Sequence, residues 1–446
     1  MRNLKFSQFV FSFLLILTVF SSFFAAPADA IEPVGVAAAR ALLVEPSSGT
    51  VLFEKNVDEM ASPASLTKIM TALLALEHTN PSDVIPVNQS ALDGLHPESS
   101  IADLKVGEYL FADDLIKCVM VASANDACNV LAEYISGSID EFVKLMNERA
   151  VELGCENTQF KNTHGLTEDG HYTTANDIYK ITLEAMKNPH FLELCNTASI
   201  TIPATNKAAE RVFNTTNHLI SRLRNPDYIY HYAKGIKTGH TSDAGYCLVS
   251  TAEKGDLLLV AVVMGSIIDP DTNKVMSFVD SKTLYEWGFA NFRYQTMLDK
   301  SAVVSTIQVE LSSENDYVSL TPAEKIEALL PIDFDKEAVD LTIDLESPAG
   351  IDAPISKGEV LGTVTVSYKG KDYGSVELVA LSSVKLDKTL LLTRQIKEFF
   401  AQSWVFYTLI GIGAVIVIYT LFVIILNVRR KKRRPSNYGY RRGRRR

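Results

Sequence analysis

The sequence has 446 residues, 47% of them hydrophobic, which is enough for sizeable cores in two domains. Its formal net charge of -10 hides an asymmetry, because 30 Lys and Arg stand against 52 Asp and Glu once the cations of the two chain ends and Asp29 are set aside. This acidic balance argues against a nucleic-acid partner. The five cysteines form no C-x-x-C pair and the eight histidines form no H-x-x-x-H pair, so no metal or other cofactor is predicted.

The first 30 residues have the layout of a secretory signal peptide. Arg2 and Lys5 precede an apolar run, Phe9–Phe24, and Ala28-Asp29-Ala30 supplies a small-x-small cleavage site. The alternative is an uncleaved N-terminal anchor. The small residues directly after the apolar run favour cleavage, which predicts an exported chain that starts at Ile31.

Residues 31–297 are predicted to form an α/β domain. An apolar strand, Val36–Val44, is followed by a turn and a returning strand, Thr50–Phe53. Helical periodicity then dominates until the last part of the domain. The later segments are three strands and an amphipathic helix, namely Gly235–Thr241, Tyr246–Thr251, Leu257–Met264 and Asn273–Phe292. Two early and three late strands predict an antiparallel sheet with helices on its faces.

Residues 298–385 are predicted to form a smaller, all-β domain. Apolar and polar residues alternate there, with Gly and Pro between the strands. The predicted strands are Val303–Leu311, Val339–Leu345, Glu359–Lys369 and Lys371–Leu381. Residues 386–403 have the periodicity of an amphipathic helix.

Residues 404–428 are predicted to cross a membrane as a helix, because Val405–Val428 is a run of 24 residues without a charge. A basic tail, 429–446, follows directly. Cations that flank a span stay on the cytoplasmic side, so we expect the tail inside the cell and the folded domains outside. Such a tail can also bind nucleic acid, but its position directly after a span favours anchoring and contact with anionic lipid.

Three short motifs in the α/β domain indicate nucleophilic catalysis. Ser65-Leu66-Thr67-Lys68 opens a predicted helix, Ser123-Ala124-Asn125 lies between two helices, and Lys237-Thr238-Gly239 lies on the first late strand. Each motif alone is weak, since S-x-x-K recurs at Ser382–Lys385 and S-x-N recurs at Ser313–Asn315. The order of the first three and their structural context give them weight.

The spacing of the first motif suits an activated serine. Backbone N–H groups and the helix dipole favour developing negative charge at a helix start, and the i to i+3 spacing brings Lys68 within reach of Ser65 Oγ. Lys68 can act as a base only when it is neutral, and burial beside a second cation, Lys237, would lower its pKa. An edge strand that carries Lys237 offers backbone groups to an extended peptide and a cation to its carboxylate.

These motifs, in this order, resemble those of the penicillin-recognising serine enzymes. The chain resembles a low-molecular-mass penicillin-binding protein of the D-alanyl-D-alanine carboxypeptidase family over roughly residues 31–403, which implies a β-lactamase/transpeptidase-like α/β fold. The longer signatures that support this resemblance are Ala61–Thr71, Val121–Ala127, Asn162–Leu166 and Gly235–Thr241. One departure is Ala124, where the family often has glycine.

The resemblance implies a role for each motif residue. Ser65 is the nucleophile that forms an acyl-enzyme, Lys68 is the general base, and Ser123 relays a proton to the leaving D-alanine. The implied substrate-binding residues are Asn125, Lys237, Thr238, Gly239 and His240. Among them, Asn125 orients Lys68 and the substrate amide, Lys237 and Thr238 hold the substrate carboxylate, and the His240 N–H joins that of Ser65 in the oxyanion hole.

The expected reaction is removal of the terminal D-alanine from peptidoglycan stem pentapeptides, with β-lactams as covalent inhibitors of Ser65. A DD-endopeptidase that acts on cross-links is one alternative. A second is a β-lactamase, which would need a glutamate base, although Glu168 lacks the E-x-x-L-N pattern of class A enzymes. A third is a non-catalytic, membrane-anchored scaffold that binds the wall.

Overall fold

The computed structural model describes residues 34–96, 99–223 and 225–432. The predicted signal peptide, residues 1–30, lies outside the described residues. So does the basic tail from residue 433 onward. The described chain divides into two compact units, which are taken in turn below.

The first unit, residues 34–295 with Leu329–Phe334, is built on a five-stranded antiparallel sheet. In chain order the strands are β1 (Arg40–Glu45), β2 (Thr50–Lys55), β3 (Val84–Pro86), β4 (Tyr109–Phe111), β5 (Ser199–Ile202), β6 (Arg211–Asn214), β7 (Ala233–Thr241), β8 (Gly245–Lys254), β9 (Leu257–Ser266) and β10 (Phe292–Leu298). The main sheet has the order β2-β1-β9-β8-β7, so β7 is an edge strand. Two small two-stranded sheets, β3 with β4 and β5 with β6, lie outside it.

Helices cover both faces of this sheet. They are α1 (Lys68–His78), α2 (Gln89–Leu92), α3 (Ala112–Lys117), α4 (Asn125–Ser136), α5 (Ile139–Glu152), α6 (Ala175–Ala185), α7 (Pro189–Cys195) and α8 (Met276–Asn291). Alternate residues of β9 join different cores, as the period of two in a strand requires. Val260 and Val262 pack with residues of α1 and α4, whereas Leu259 and Ala261 pack with residues of α8.

The predicted fold class, an antiparallel sheet between helices with a C-terminal β domain, is confirmed. The predicted helix that starts at Ser65 is different in detail. Residues Ala64–Thr67 form a 3₁₀ turn, and α1 begins at Lys68. A short π turn, Cys118–Ala122, similarly continues α3. Both irregular turns carry a motif residue or end next to one.

The second unit, residues Thr296–Ala328 and 335–432, contains a six-stranded sheet. Its strands in chain order are β11 (Ser305–Glu310), β12 (Tyr317–Pro322), β13 (Ile326–Pro331), β14 (Val339–Leu345), β15 (Ile351–Asp352), β16 (Val360–Tyr368) and β17 (Lys371–Ala380). The sheet order is β14-β16-β17-β12-β11-β15, and β13 is not part of this sheet. The neighbours are antiparallel, except that β11 and β15 are parallel.

Two helices end the described chain, α9 (Lys388–Ala401) and α10 (Ser403–Lys432). The part of α10 from Ser403 to Arg430 is long and apolar enough to cross a membrane, with a mean hydropathy of 2.9. This helix agrees with the predicted C-terminal span and fits membrane anchoring.

A hydrogen bond between α8 and the main sheet gives a test of how the first unit packs. Tyr285 on α8 is fully buried, and its hydroxyl lies 2.8 Å from Ser250 Oγ on β8. We expect Tyr285→Phe to lower the free energy of unfolding by about 1–2 kcal/mol, because the ring is kept while a buried hydroxyl loses its partner. The thermal midpoint of the detergent-solubilised chain should fall by about 2–6 °C.

The matched control is Tyr317→Phe, since Tyr317 is 61% exposed. This variant should unfold at the wild-type temperature. Equal midpoints for the two variants would show that the bond between Tyr285 and Ser250 does not stabilise the unit.

Candidate active site

Ser65 lies in the 3₁₀ turn Ala64–Thr67, which leads directly into α1. Lys68 is the first residue of α1 and is fully buried. Its Nζ lies 2.9 Å from Ser65 Oγ and donates a hydrogen bond to the carbonyl of His164 at 2.7 Å. The predicted i to i+3 contact is therefore present. It sets an amine directly beside a hydroxyl, the pairing that can activate a serine nucleophile.

The second motif follows the π turn and forms the next wall of the site. Ser123 adopts a left-handed conformation, with φ of 59°, and its Oγ accepts a hydrogen bond from Lys237 Nζ at 2.9 Å. Asn125 is buried at the start of α4, and its N–H donates to the carbonyl of Ser100 at 2.8 Å. Ala124 between them has φ of -75° and ψ of 120°. This is an ordinary extended conformation, so the alanine that departs from the family pattern causes no backbone strain.

The third motif lies on the edge strand β7. Lys237 is buried, and its Nζ also donates to the carbonyl of Thr238 at 3.0 Å. Thr238 Oγ1 lies 2.5 Å from Thr216 Oγ1. A Cβ on Gly239 would lie 3.0 Å from the backbone nitrogen of Ser65. The glycine therefore allows β7 to approach the turn that carries Ser65.

Residues from all three motifs line one cavity of about 310 Å³. The predicted site residues that line it are Ser65, Ser123, Thr238, Gly239 and His240. The others, which are buried and do not line it, are Lys68, Asn125 and Lys237. The His240 ring is exposed and stacks on Tyr246, with ring centroids 4.1 Å apart. All eight residues predicted from sequence thus belong to one region of the first unit.

Comparison with known proteins then gives the family. The sequence matches the family described as D-alanyl-D-alanine carboxypeptidase over residues 27–267, and the C-terminal domain of penicillin-binding protein 5 over residues 292–386. The chain belongs to the D-alanyl-D-alanine carboxypeptidase family. The predicted family of low-molecular-mass penicillin-binding proteins and the predicted class of serine-type enzyme are both confirmed.

Similar proteins cover most of the chain. The D-alanyl-D-alanine carboxypeptidase DacF of Bacillus subtilis (strain 168) is 32% identical over 348 residues, which are 77% of this chain and 85% of the relative. DacC of Escherichia coli (strain K12) is 33% identical over 372 residues, which are 80% and 86% of the two chains. The crystal structure of penicillin binding protein 5 from Haemophilus influenzae is 31% identical with a TM-score of 0.59, and the match covers 80% of this chain and 100% of that chain.

His171 is hydrogen-bonded to the turn that carries Ser65. Its Nδ1 accepts the N–H of Lys161 at 2.9 Å, so the proton of the neutral ring lies on Nε2. Nε2 then donates to Thr67 Oγ1 at 3.0 Å, and that hydroxyl donates to the carbonyl of Ala64 at 2.9 Å. Burial lowers the pKa of His171 to about 4, which keeps the ring neutral. No sequence motif indicates this contact, because it joins residues that are far apart along the chain.

The loop 162–166 packs against the same turn. A Cβ on Gly165 would lie only 1.8 Å from the carbonyl oxygen of Ala64, and φ of Gly165 is 93°. Only glycine fits both constraints. The neighbouring His164 contributes its carbonyl to Lys68, while burial and the charge of Lys68 lower the pKa of the His164 imidazole to about 3. The His164 ring therefore stays neutral, and its backbone is the part that serves the site.

Burial sets the protonation of the two active-site lysines. It lowers the pKa of Lys68 from 10.5 to about 8, although the charge of Asp126 opposes part of this shift. Burial and the charge of Lys68 together lower the pKa of Lys237 to about 7. An appreciable fraction of Lys68 is therefore neutral near neutral pH, which an exposed lysine would not be.

Acylation of Ser65 should depend on pH through Lys68. Only the neutral amine can take the serine proton, so the rate should rise with pH and level off above about 8. Below that value the neutral fraction falls about tenfold for each pH unit. The measurement is the rate at which labelled penicillin attaches to the full-length chain as pH is varied. A rate that stays constant from about pH 6 to about pH 9 would contradict the role of Lys68.

The contact between Gly165 and Ala64 gives a second test. We expect Gly165→Ala to slow penicillin attachment by roughly 10- to 100-fold, because the added methyl must displace the turn that carries Ser65. Gly154→Ala is the matched control. Gly154 also has a positive φ, 73°, but its Cβ would meet no atom within 4 Å. Both variants carry backbone strain of about 1–2 kcal/mol, yet only the first should lose activity. Equal attachment rates would refute the positioning role.

Proposed function

We propose that the chain removes the terminal D-alanine from peptidoglycan stem pentapeptides through an acyl-enzyme on Ser65. The observation that carries this proposal is the 2.9 Å contact between the buried amine of Lys68 and Ser65 Oγ. The contact lies at a cavity beside the edge strand β7, where an extended peptide can pair. The relatives DacF and DacC are named for a D-alanyl-D-alanine carboxypeptidase activity, which supports the same reaction here.

In the acylation step Lys68 takes the proton of Ser65, and the serine oxygen attacks the carbonyl carbon of the penultimate D-alanine. The carbonyl oxygen becomes an oxyanion. We assign its stabilisation to the N–H groups of Ser65 and His240. Pairing of the substrate backbone with the outer edge of β7 would hold the scissile bond against Ser65 Oγ.

Ser123 is assigned the transfer of a proton to the leaving amine. Its Oγ accepts a hydrogen bond from Lys237 Nζ at 2.9 Å, so its own hydroxyl hydrogen can point to another acceptor. Cleavage of the C–N bond releases D-alanine and leaves an ester on Ser65. The proton that Lys68 took from Ser65 replaces the one that Ser123 gave to the amine, so Lys68 is neutral again once D-alanine has left. Water then attacks the ester with Lys68 as base, and the proton that Lys68 takes from water passes to the departing Ser65 oxygen, which regenerates the serine.

β-Lactams fit this mechanism as covalent inhibitors. Their strained ring carbonyl stands for the scissile amide, so attack by Ser65 opens the ring and leaves the same kind of ester. The amine that leaves stays tethered to the acyl group and remains in the site. Hydrolysis of this ester is therefore expected to be slow.

The position of Glu168 supports a peptidase rather than a β-lactamase. A class A β-lactamase uses a glutamate near the serine as a base for deacylation. Glu168 is exposed, accepts a hydrogen bond from Asn162 Nδ2 at 3.0 Å, and is not among the residues that line the cavity. Rapid turnover of penicillin is therefore not expected.

We also propose the orientation of the chain in the cell membrane. The apolar helix Ser403–Arg430 would be the anchor, with the folded units outside and the basic tail 429–446 inside, because cations that follow a span stay in the cytoplasm. A wall peptide is accessible only from that side. The domain limits that we propose are 31–297 for the catalytic domain, 298–385 for the β domain and 386–403 for the linker helix.

The test uses the full-length chain in detergent and a pentapeptide that ends in D-Ala-D-Ala. We expect release of D-alanine by the wild type, and a loss of about 1,000-fold or more in Ser65→Ala, because no acyl-enzyme can form. The matched control is Ser382→Ala. Ser382 is exposed and opens the other S-x-x-K sequence, Ser382–Lys385, so this variant should release D-alanine at the wild-type rate.

The other outcomes point to different functions. Release that persists in Ser65→Ala would refute the assigned nucleophile. Covalent attachment of penicillin without release of D-alanine would contradict the carboxypeptidase proposal, and cleavage of a cross-linked stem-peptide dimer would then identify an endopeptidase. If the chain neither releases D-alanine nor attaches penicillin, that result would favour a non-catalytic scaffold.

A further inference from the structure

The segment 100–104 forms part of the cavity wall, although it belongs to none of the three motifs. Its first residue, Ser100, lines the cavity that Ser65 also lines. Ser100 is bonded to both sides of the second motif, since its Oγ donates to the carbonyl of Ala122 at 2.8 Å and its carbonyl accepts the N–H of Asn125 at 2.8 Å. A displacement of this segment would therefore move the wall and the second motif together.

The carboxylate of Asp126 holds the segment 100–104 by its N–H groups. Asp126 directly follows the second motif and is buried. Its two oxygens accept the N–H of Ala102 at 2.8 and 3.0 Å, and they also accept those of Leu104 at 3.0 Å and Ala127 at 2.9 Å. Burial raises the pKa of Asp126, while these N–H groups oppose the rise and favour the ionised carboxylate. The carboxylate thus ties the segment to the start of α4.

The guanidinium of Arg211 holds the same segment by its carbonyl groups. Arg211 is the first residue of β6, and its Nη1 donates to the carbonyls of Ala102 at 3.1 Å and Asp103 at 3.3 Å. Its Nη2 forms an ion pair with the buried carboxylate of Glu108. Two side chains of opposite charge, Asp126 and Arg211, therefore fix the backbone of this wall.

The charge of Asp126 also acts on the amine beside the nucleophile. The titratable groups around Lys68 are Asp126 and Cys128 on α4, Lys237 on β7 and the imidazole of His164. Burial raises the pKa of the Cys128 thiol to about 12, so the thiol is uncharged near neutral pH. Asp126 is the anion of this group, and its charge opposes the effect of burial on the pKa of Lys68. Loss of that charge would lower the pKa of Lys68 further.

We propose that Asp126 is a positioning residue for the acylation of Ser65, because its carboxylate holds the segment that forms the cavity wall at Ser100 and is bonded to the second motif. This inference rests on the function proposed above and deepens it. Without the carboxylate, the N–H groups of Ala102 and Leu104 lose their acceptor in a buried place, so the segment must shift. The wall beside Ser65 would then be displaced, and small displacements at a reacting centre cost much of the rate.

The experiment replaces Asp126 by Asn, which has the same shape but only one acceptor oxygen. The Asn side chain cannot accept all the N–H groups that the carboxylate accepts. The rate at which labelled penicillin attaches to the full-length chain in detergent is measured as pH is varied. In Asp126→Asn the rate at the high-pH plateau should fall by about 10- to 100-fold, because Lys68 is neutral there and the displaced wall alone limits the rate. The midpoint of the profile should move to lower pH, because the lost charge no longer raises the pKa of Lys68.

The matched control is Asp280→Asn. Asp280 on α8 is also a buried carboxylate that accepts two N–H groups of a distant segment, those of Ala37 at 3.0 Å and Ala38 at 2.8 Å. None of these three residues lines the cavity. This variant should lose a similar amount of thermal stability but keep the wild-type plateau rate and midpoint. Equal losses of plateau rate in Asp126→Asn and Asp280→Asn would overturn the inference, since they would indicate an effect of lower stability alone.

A second variant, Ser100→Ala, tests the wall without removing the charge. It breaks the bond from Ser100 Oγ to the carbonyl of Ala122 and leaves Asp126 in place. We expect the plateau rate to fall by about 3- to 10-fold at an unchanged midpoint. This variant decides the question if Asp126→Asn does not fold. A plateau rate within about twofold of the wild-type rate in either folded variant would overturn the inference.

The two proposals can fail separately. If the wild type attaches penicillin but releases no D-alanine from the pentapeptide, the carboxypeptidase function fails, and the attachment rates still decide the role of Asp126. If the wild type releases D-alanine and Asp126→Asn attaches penicillin at the wild-type plateau rate, only the role of Asp126 fails. A wild-type chain that attaches no penicillin contradicts both.

Discussion

The proposed acylation depends on one interaction, the contact between the buried amine of Lys68 and the hydroxyl of Ser65. Burial removes water from Lys68 and lowers its pKa, and the proposed transfer of the Ser65 proton requires this neutral amine. Distant parts of the chain maintain this contact. The carbonyl of His164 accepts a hydrogen bond from the amine, and the hydrogen bond between His171 Nε2 and Thr67 holds the turn. Gly239 allows the edge strand β7 to approach that turn closely. All three of these interactions lie around the contact between Lys68 and Ser65.

Much of the fold could be predicted because its signals are local. The period of two in strands and the turns between them predicted the two early and three late strands of the main sheet, and Val339–Leu345 was predicted with the bounds that the structure has. The spacing of S-x-x-K likewise predicts the contact between Lys68 and Ser65. In both a 3₁₀ turn and an α-helix, residues i and i+3 lie on the same face. The family resemblance then supplied roles that spacing alone does not give.

The rest depends on contacts between distant residues, which no short pattern encodes. A lysine is usually exposed, so the sequence could suggest but not establish the burial of Lys68 and Lys237. The helix α7 and the hairpin of β5 and β6 were not predicted, because their segments are short and weakly periodic. Thr216 belongs to no motif. Only the fold brings Thr216 to the third motif, where its Oγ1 lies 2.5 Å from Thr238 Oγ1.

The two buried lysines also affect the stability of the protein as a whole. In the unfolded chain a lysine keeps its proton up to about pH 10.5, whereas in the folded chain Lys68 and Lys237 release theirs near 8 and 7. Between about pH 7 and about pH 10.5 the unfolded state therefore binds more protons, so the fold loses stability as the pH falls through this window. Apolar residues of similar size at these positions would give a more stable and inert protein. Selection for stability alone would thus remove the two amines that the proposed mechanism uses.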